Sequence, residues 1–251
     1  MSKIAIITGA GRGLGRNAAI NIARKGIDVI LTYRNSRAEA EAVVAQIEAL
    51  GGKSVALQLD VAKTNQFDGF VAAVGEALNR VWQRDSFDFL LNNAGHGDLV
   101  PFSDITEEQF DAMFNVHVKG VFFLTQKLLP LLADGGRIIN YSSGLTRITF
   151  PGMSAYIAAK GAVEALSLSL AKELGPRRIT VNTIAPGAIE TDFLGGAVRD
   201  MPELNKQFAD MIALGRVGKP DDIGRMLASF LSDDNGWITG QRIEVSGGQV
   251  I

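Results

Sequence analysis

The stretch that decides the fold is "KIAIITGAGRGLG", residues 3–15. An apolar run, Ile4 to Ile7, leads directly into glycines at 9, 11, 13 and 15. Such a run bounded by turn formers reads as a buried strand, and the residues from about 13 to 25 read as the helix that follows it. Glycines let the backbone turn tightly and approach a pyrophosphate, while the helix points its N-terminal amides and positive dipole end at the anion. The spacing is Gly9-x-x-x-Gly13-x-Gly15, with Leu14 where a third close glycine would complete G-x-G-x-x-G. No Gly-Lys-Ser/Thr follows, so the loop is not of the magnesium–triphosphate kind. A first strand-to-helix turn of this type is where a doubly wound sheet holds a dinucleotide.

Outward from this turn, strand-sized apolar runs recur at 28–33, 53–59, 87–93, 136–143, 179–186 and 242–246, separated by amphipathic stretches long enough for crossover helices. That rhythm predicts a doubly wound, all-parallel, seven-stranded α/β sheet in one domain over 1–251. Residues 188–218 break the rhythm and carry Gly195 and Gly196 in tandem. An excursion at the carboxyl end of a strand, where ligands bind, is a candidate lid.

Of the 251 residues, 47% are hydrophobic and 21% charged, with a net charge of −2. This is the balance of a globular chain with a sizeable core, and it provides no electrostatic footprint for nucleic acid or an anionic membrane. The absence of cysteine excludes disulfides and thiolate metal sites and fits a reducing compartment. The first apolar run is too short for a signal-peptide core, and no segment has the length of a membrane span. The expected location is the cytoplasm.

The second strand bears on the choice of dinucleotide. An acid at its end binds a ribose 2′-hydroxyl, whereas an arginine there suits a 2′-phosphate. Here it ends "TYRNSR", with Tyr33 in the acid's place and Arg34 next, and Arg12 supplies a second cation from the glycine turn. The expected cofactor is NADP(H).

A further pattern, "AYIAAK" at 155–160, sets Tyr156 and Lys160 four positions apart, on one face of a predicted helix. A free phenol, with a pKa near 10, is a reluctant proton exchanger at neutral pH, and an ammonium one helical turn away acts to lower it. The two histidines have no Gly-x-Ser-x-Gly elbow to serve and no metal-ligand spacing, so neither a hydrolase nor a metal site is expected. His117 is expected to pack or be solvated on a helix. His96, after the fourth strand, is expected at the mouth of a substrate pocket.

Taken in order along the chain, these motifs resemble the short-chain dehydrogenase/reductase family, whose members share a Rossmann-type sheet. The resemblance assigns cofactor contacts to Gly9, Arg12, Gly13, Leu14, Gly15 and Arg34. It gives Asp60 and Val61 of "LDV" to the adenine, and Asn93, Ala94 and Gly95 of "NNAG" to a brace beside the cofactor. Pro186, Gly187, Ile189 and Thr191 of "PGAIET" would hold the nicotinamide carboxamide. It implies a catalytic set of Asn115, Ser143, Tyr156 and Lys160. Tyr156 is the acid or base, Lys160 also grips the nicotinamide ribose, Ser143 meets the developing oxyanion, and Asn115 orders a water leading from Lys160 to solvent.

The candidate substrate wall comprises His96, Leu145, Ile148, Phe150, Met153, Phe193, Leu194 and Met211. Within the family the pattern is most similar to 3-oxoacyl carrier-protein reductases and relatives acting on other ketones. Asp134 stands where a carrier-docking base is expected, while Arg177 persists nearby. A non-catalytic NADP-binding sensor is the rival from another class, disfavoured because all four catalytic residue types are present. Apolar excess in "VFFLTQKLLPLL" and "AVEALSLSLA" points, with the resemblance, to a homotetramer.

Overall fold

The computed structural model describes residues 2–251. The chain alternates strand and helix: β1 (Ile4–Ile7), α1 (Gly13–Ala23), β2 (Asp28–Tyr33), α2 (Arg37–Ala49), β3 (Ser54–Gln58), α3 (Phe67–Ala77) and β4 (Phe87–Asn92). A long helix follows in two parts, α4 (Glu107–Phe114) and α5 (Val121–Leu128), joined by a wide π-turn at Asn115–Gly120. Next come β5 (Leu132–Tyr141), α6 (Ser154–Leu174) and β6 (Thr180–Pro186). Two short helices, α7 (Ala197–Asp200) and α8 (Pro202–Asp210), then α9 (Pro220–Phe230) and β7 (Arg242–Val245) complete the chain.

All strand pairs are parallel, in the order β3-β2-β1-β4-β5-β6-β7. The order reverses between β1 and β4, the switch point beyond which ligands bind in such sheets. Every residue of β1 is buried because its side chains alternate between two cores. Ala5 and Ile7 join Ile22, Ile47 and Leu227 on one face, while Ile4 and Ile6 join Phe67, Val74 and Leu128 on the other. This is the seven-stranded architecture expected from the apolar rhythm.

The strand bounds fall close to the predicted ones except in β5, which starts at Leu132 and not at 136. A register irregularity beside Phe87 lets Leu132 pair ahead of the turn at Gly135 and Gly136, so two glycines that read as a boundary lie inside the strand. The predicted excursion is present and its ends are tied: Ile189 pairs with Gly218, the Glu190 N–H donates to the Gly218 carbonyl (2.9 Å), and the Gly218 N–H donates to Ala188 (2.9 Å). Among the described residues no helix is long and apolar enough to cross a membrane.

Candidate active site

One cavity of about 1180 Å³ runs along the carboxyl ends of the strands from the glycine turn to the flap formed by α7 and α8. At its first end lie Gly9, Arg12, Gly13 and Leu14, with Arg34, Asp60 and Val61. Gly9 and Gly13 have φ of 65° and 56°, a backbone region that residues with a Cβ seldom enter. No acid occupies the first turn of α1, leaving its N-terminal amides without a negative partner there. Arg12 and Arg34 are exposed, and neither forms an ion pair among the described residues.

Gly15 differs from expectation. It does not line the cavity, because it faces inward: a Cβ on it would lie 2.5 Å from Asn93 Nδ2 and 2.6 Å from the Gly9 carbonyl oxygen. Its part is to let the turn close against β4. Asn93 completes that closure by donating to the Thr8 (2.8 Å) and Gly9 (3.1 Å) carbonyls, while the Thr8 hydroxyl accepts from the N–H groups of Asn93 and Ala94. Asn92, buried behind it, donates to Asn140 (2.8 Å) and Thr125 (3.1 Å). The "NNAG" run thus ties β4 to β1 and β5.

The other half of the cavity brings together Ser143, Tyr156 and Lys160 with Gly95, Pro186, Gly187, Ile189 and Thr191. Tyr156 and Lys160 lie one turn apart on α6, with Nζ 5.6 Å from the phenol ring centre. Lys160 donates to the Tyr141 carbonyl at 2.7 Å, a partner with no signature in the sequence because it is backbone. Burial pushes the Tyr156 phenol up to about 12, opposed by the Ser143 hydroxyl, and pulls Lys160 down to about 7. Desolvation disfavours the charged form of both groups, and on Tyr156 it outweighs the lowering by the Ser143 hydroxyl. The adjacent serines are distinguished by their partners. Ser142 donates to Glu164, whereas Ser143 caps a short turn by accepting from Leu145 N–H (3.2 Å) and faces Tyr156.

Asn115 is not in this group. It begins the π-turn, while the cavity is lined two positions on by His117. Val116 and His117 line the cavity and Asn115 does not. His117 is 1% exposed, with its ring edge-on to Tyr156 at 5.4 Å. Its Nε2 lies 2.7 Å from the His96 carbonyl oxygen and 3.3 Å from the His96 nitrogen. A neutral ring donating to that carbonyl leaves Nδ1 a bare acceptor, and Nδ1 is buried without a partner. Burial first, then the Lys160 charge, holds the ring well below its usual pKa. The sequence signal was a polar residue between two valines in a helix; nothing local told which face it takes.

His96 lines the cavity with its side chain 39% exposed, 3.9 Å from Asp98. Leu145, Ile148, Phe150, Met153, Phe193 and Leu194 line it too, but Met211 does not, since the chain turns away after α8. Leu99, Val198, Leu204 and Phe208, which sequence reasoning missed, complete the apolar wall from the flap and the loop after β4. Phe193 stands 5.5 Å from the Tyr156 ring, in space left by Gly97, where a Cβ would come within 2.3 Å of it.

A family model described as enoyl-(acyl carrier protein) reductase matches residues 9–249. The tetrahydroxynaphthalene reductase PfmaG of Pestalotiopsis fici is 37% identical over 259 positions, covering 99% of this chain and 91% of its own. Among solved structures, the promiscuous reductase LugOII, which catalyses keto-reduction at C1 during lugdunomycin biosynthesis, is 38% identical with a TM-score of 0.93, covering 99% of this chain and 98% of its own. The angucycline C-6 ketoreductase LanV with bound NADP is 35% identical with a TM-score of 0.93, covering 99% and 95%. With the glycine turn, the parallel sheet and the paired tyrosine and lysine in place, these matches identify the chain as an oxidoreductase of the short-chain dehydrogenase/reductase family.

Proposed function

We propose that the protein is an NADPH-dependent ketoreductase acting on a flat, largely apolar ring ketone. The observation that carries this is the continuity of one cavity, with two unpaired arginines beside a glycine turn at one end and Ser143, Tyr156 and Lys160 under an aromatic wall at the other. The residues fit the cofactor. Arg12 and Arg34 suit a 2′-phosphate, Asp60 and Val61 an adenine, the α1 N-terminus a pyrophosphate, and the backbone of 186–191 with Thr191 a nicotinamide carboxamide. Tyr156 and Lys160 border that same end.

When bound, NADPH supplies the hydride. Ser143 and Tyr156 present two hydroxyl donors to the carbonyl oxygen, stabilising charge as it develops there. Held as a phenol by burial, Tyr156 keeps its proton until that oxygen becomes basic enough to take it. Lys160, fixed by Tyr141, offers its remaining N–H groups to the phenolate left behind and to a ribose hydroxyl. His117, and not Asn115, is the polar neighbour of this pair.

Leu99, Phe150, Phe193, Leu204 and Phe208 favour a flat apolar substrate, in keeping with the ring systems named for the naphthalene and angucycline reductases. A 3-oxoacyl carrier-protein substrate is the second reading, since the family model's description names an acyl carrier protein. Against it, the remaining basic residue of the proposed docking patch is engaged: Arg177 pairs with Asp134 at 2.7 Å and donates to the Leu129 and Leu132 carbonyls.

The segment between Ile189 and Gly218 is proposed as the lid, and the chain as one catalytic domain. A cytoplasmic homotetramer is proposed from exposed Phe122, Phe123, Leu168 and Trp237, to be checked by light scattering. The functional test is a panel of naphthol-derived ketones, simple ketones and 3-oxoacyl thioesters with NADPH and NADH, followed by nicotinamide absorbance. Turnover of ring ketones with NADPH is expected; activity confined to acyl thioesters would transfer the assignment to the second reading.

A further inference from the structure

After β7 the chain does not leave the site. Gly247 and Gly248, with φ of 65° and 78°, turn it back, and Gln249 becomes 3% exposed while lining the cavity. Its Oε1 accepts from the Ala188 N–H at 3.0 Å, within the 186–191 loop. The packing there is tight: a Cβ on Gly187 would meet Gln249 Oε1 and Ser246 Cβ, each at 2.7 Å. The same tail holds two other segments. Ala213 and Leu214 donate to the Gly248 and Gly247 carbonyls (3.1 Å each), and the Val250 N–H donates to Met211 (2.8 Å), so the tail pairs with the end of the flap. Arg147, four residues beyond Ser143, donates to the Gln249 and Val250 carbonyls and makes a two-pronged pair with Glu244 (2.9 and 2.6 Å).

We infer that the C-terminal tail at 246–250 is a latch joining the flap, the Ser143 loop and the nicotinamide-side loop, and that Gln249 is the positioning residue that transmits flap position to Ala188. The inference rests on the cofactor reading above for its ligand, but the latch itself is a set of hydrogen bonds among protein segments. Three loops meeting the tail within five residues move together only if the tail stays seated. Among the described residues the Ala188 contact is the one bond that links the tail's side chains to the 186–191 backbone, and without it a half-buried N–H loses its acceptor. Gln249 thus acts through the loop, and its loss should weaken nicotinamide holding without touching the phenol.

The test compares Gln249→Met, which fills similar space without the acceptor, with Gln249→Glu, which keeps one. NADPH dissociation constants are read by fluorescence, and tryptic cleavage after Arg199 and Lys206 in the flap by mass spectrometry. Gln249→Met is expected to weaken NADPH binding about tenfold and to speed flap cleavage several-fold, with Gln249→Glu recovering most of both. Arg147→Ala, a change at a partly exposed side chain, is expected to move both readouts in the same direction by less, and it decides the matter if Gln249→Met does not fold. Unchanged cleavage and affinity in the folded variants would overturn the latch, as would weaker binding with unchanged cleavage. If the wild-type protein binds no NADPH, the cofactor reading fails instead, and flap cleavage alone then decides: faster cleavage keeps the latch and unchanged cleavage overturns it.

Discussion

The two ends of the cavity are built differently. The glycine turn is held by backbone groups, a threonine hydroxyl and a half-buried amide: Gly9 N–H donates to Thr32 Oγ1 (3.1 Å), Ala10 N–H to the Thr32 carbonyl (2.9 Å), and Asn93 stitches the turn to β4. The flap is held by exposed ion pairs, such as Arg199 with Asp192 and Lys206 with Asp210, by aromatic contact of Phe208 with Phe150 (5.8 Å), and by the tail. It begins with three successive left-handed residues, Leu194, Gly195 and Gly196 (φ 50°, 72° and 83°), an arrangement that only surrounding contacts sustain. Exposed ion pairs contribute little, so the flap belongs to the low-stability end of the molecule. This contrast supports the proposed division of labour, in which the rigid end would hold the cofactor and the looser end would admit the substrate.

The sharpest break of this comparison lies in the chemistry. Tyr156→Phe is expected to lower kcat at least 100-fold while NADPH affinity stays within about twofold, because the ring still packs and only the proton donor is lost. A near-normal kcat would place the proton source elsewhere, with His117 the first to examine. Next in size, Arg34→Ala should raise the NADPH KM about tenfold and leave the NADH KM nearly unchanged, a difference worth about 1.4 kcal/mol. Equal effects on both cofactors would show that the rigid end does not read the 2′-phosphate.

Phe193→Ala sharpens the other side. It should change substrate KM values only about three- to fivefold, reordering ring ketones against small ones, with NADPH KM unaltered. A matching change in NADPH KM would mean that the two ends are not separate.

The smallest effect is thermal. Lys160 has a folded pKa near 7 against 10.5 when unfolded. Between those values the unfolded chain binds more protons, so this group makes the cofactor-free protein more stable as pH rises, with its full penalty present below 7. The Tm advantage of Lys160→Met at pH 7 should shrink by a few degrees by pH 9.5. A constant gap would show that Lys160 keeps its proton throughout.

Features set by local pattern were legible without the structure. The continuous apolar run of β1, the glycines at 9 and 13, and the i, i+4 placement of Tyr156 and Lys160 each depend on neighbours a few residues away. Gly15 and Asn115 show where that reading stops, since neither lines the cavity. Gly15 was assigned to a ligand by spacing, but its lack of a side chain is required by Asn93, distant in the chain. Asn115 was assigned by its place in a motif, but facing is set by the phase of the helix at the π-turn.

By itself, the sequence determined the strand and helix order, the switch-point turn and the phenol–ammonium pair, because backbone geometry repeats at fixed periods and glycine alone relaxes it freely. The tertiary structure decided which serine faces the tyrosine, that His117 adjoins the pair, that Arg177 is engaged by Asp134, and that Gln249 returns from the end of the chain to hold Ala188. Those outcomes depend on contacts between residues far apart in sequence, where burial and the need to satisfy each buried polar group select among side chains that local pattern leaves equivalent.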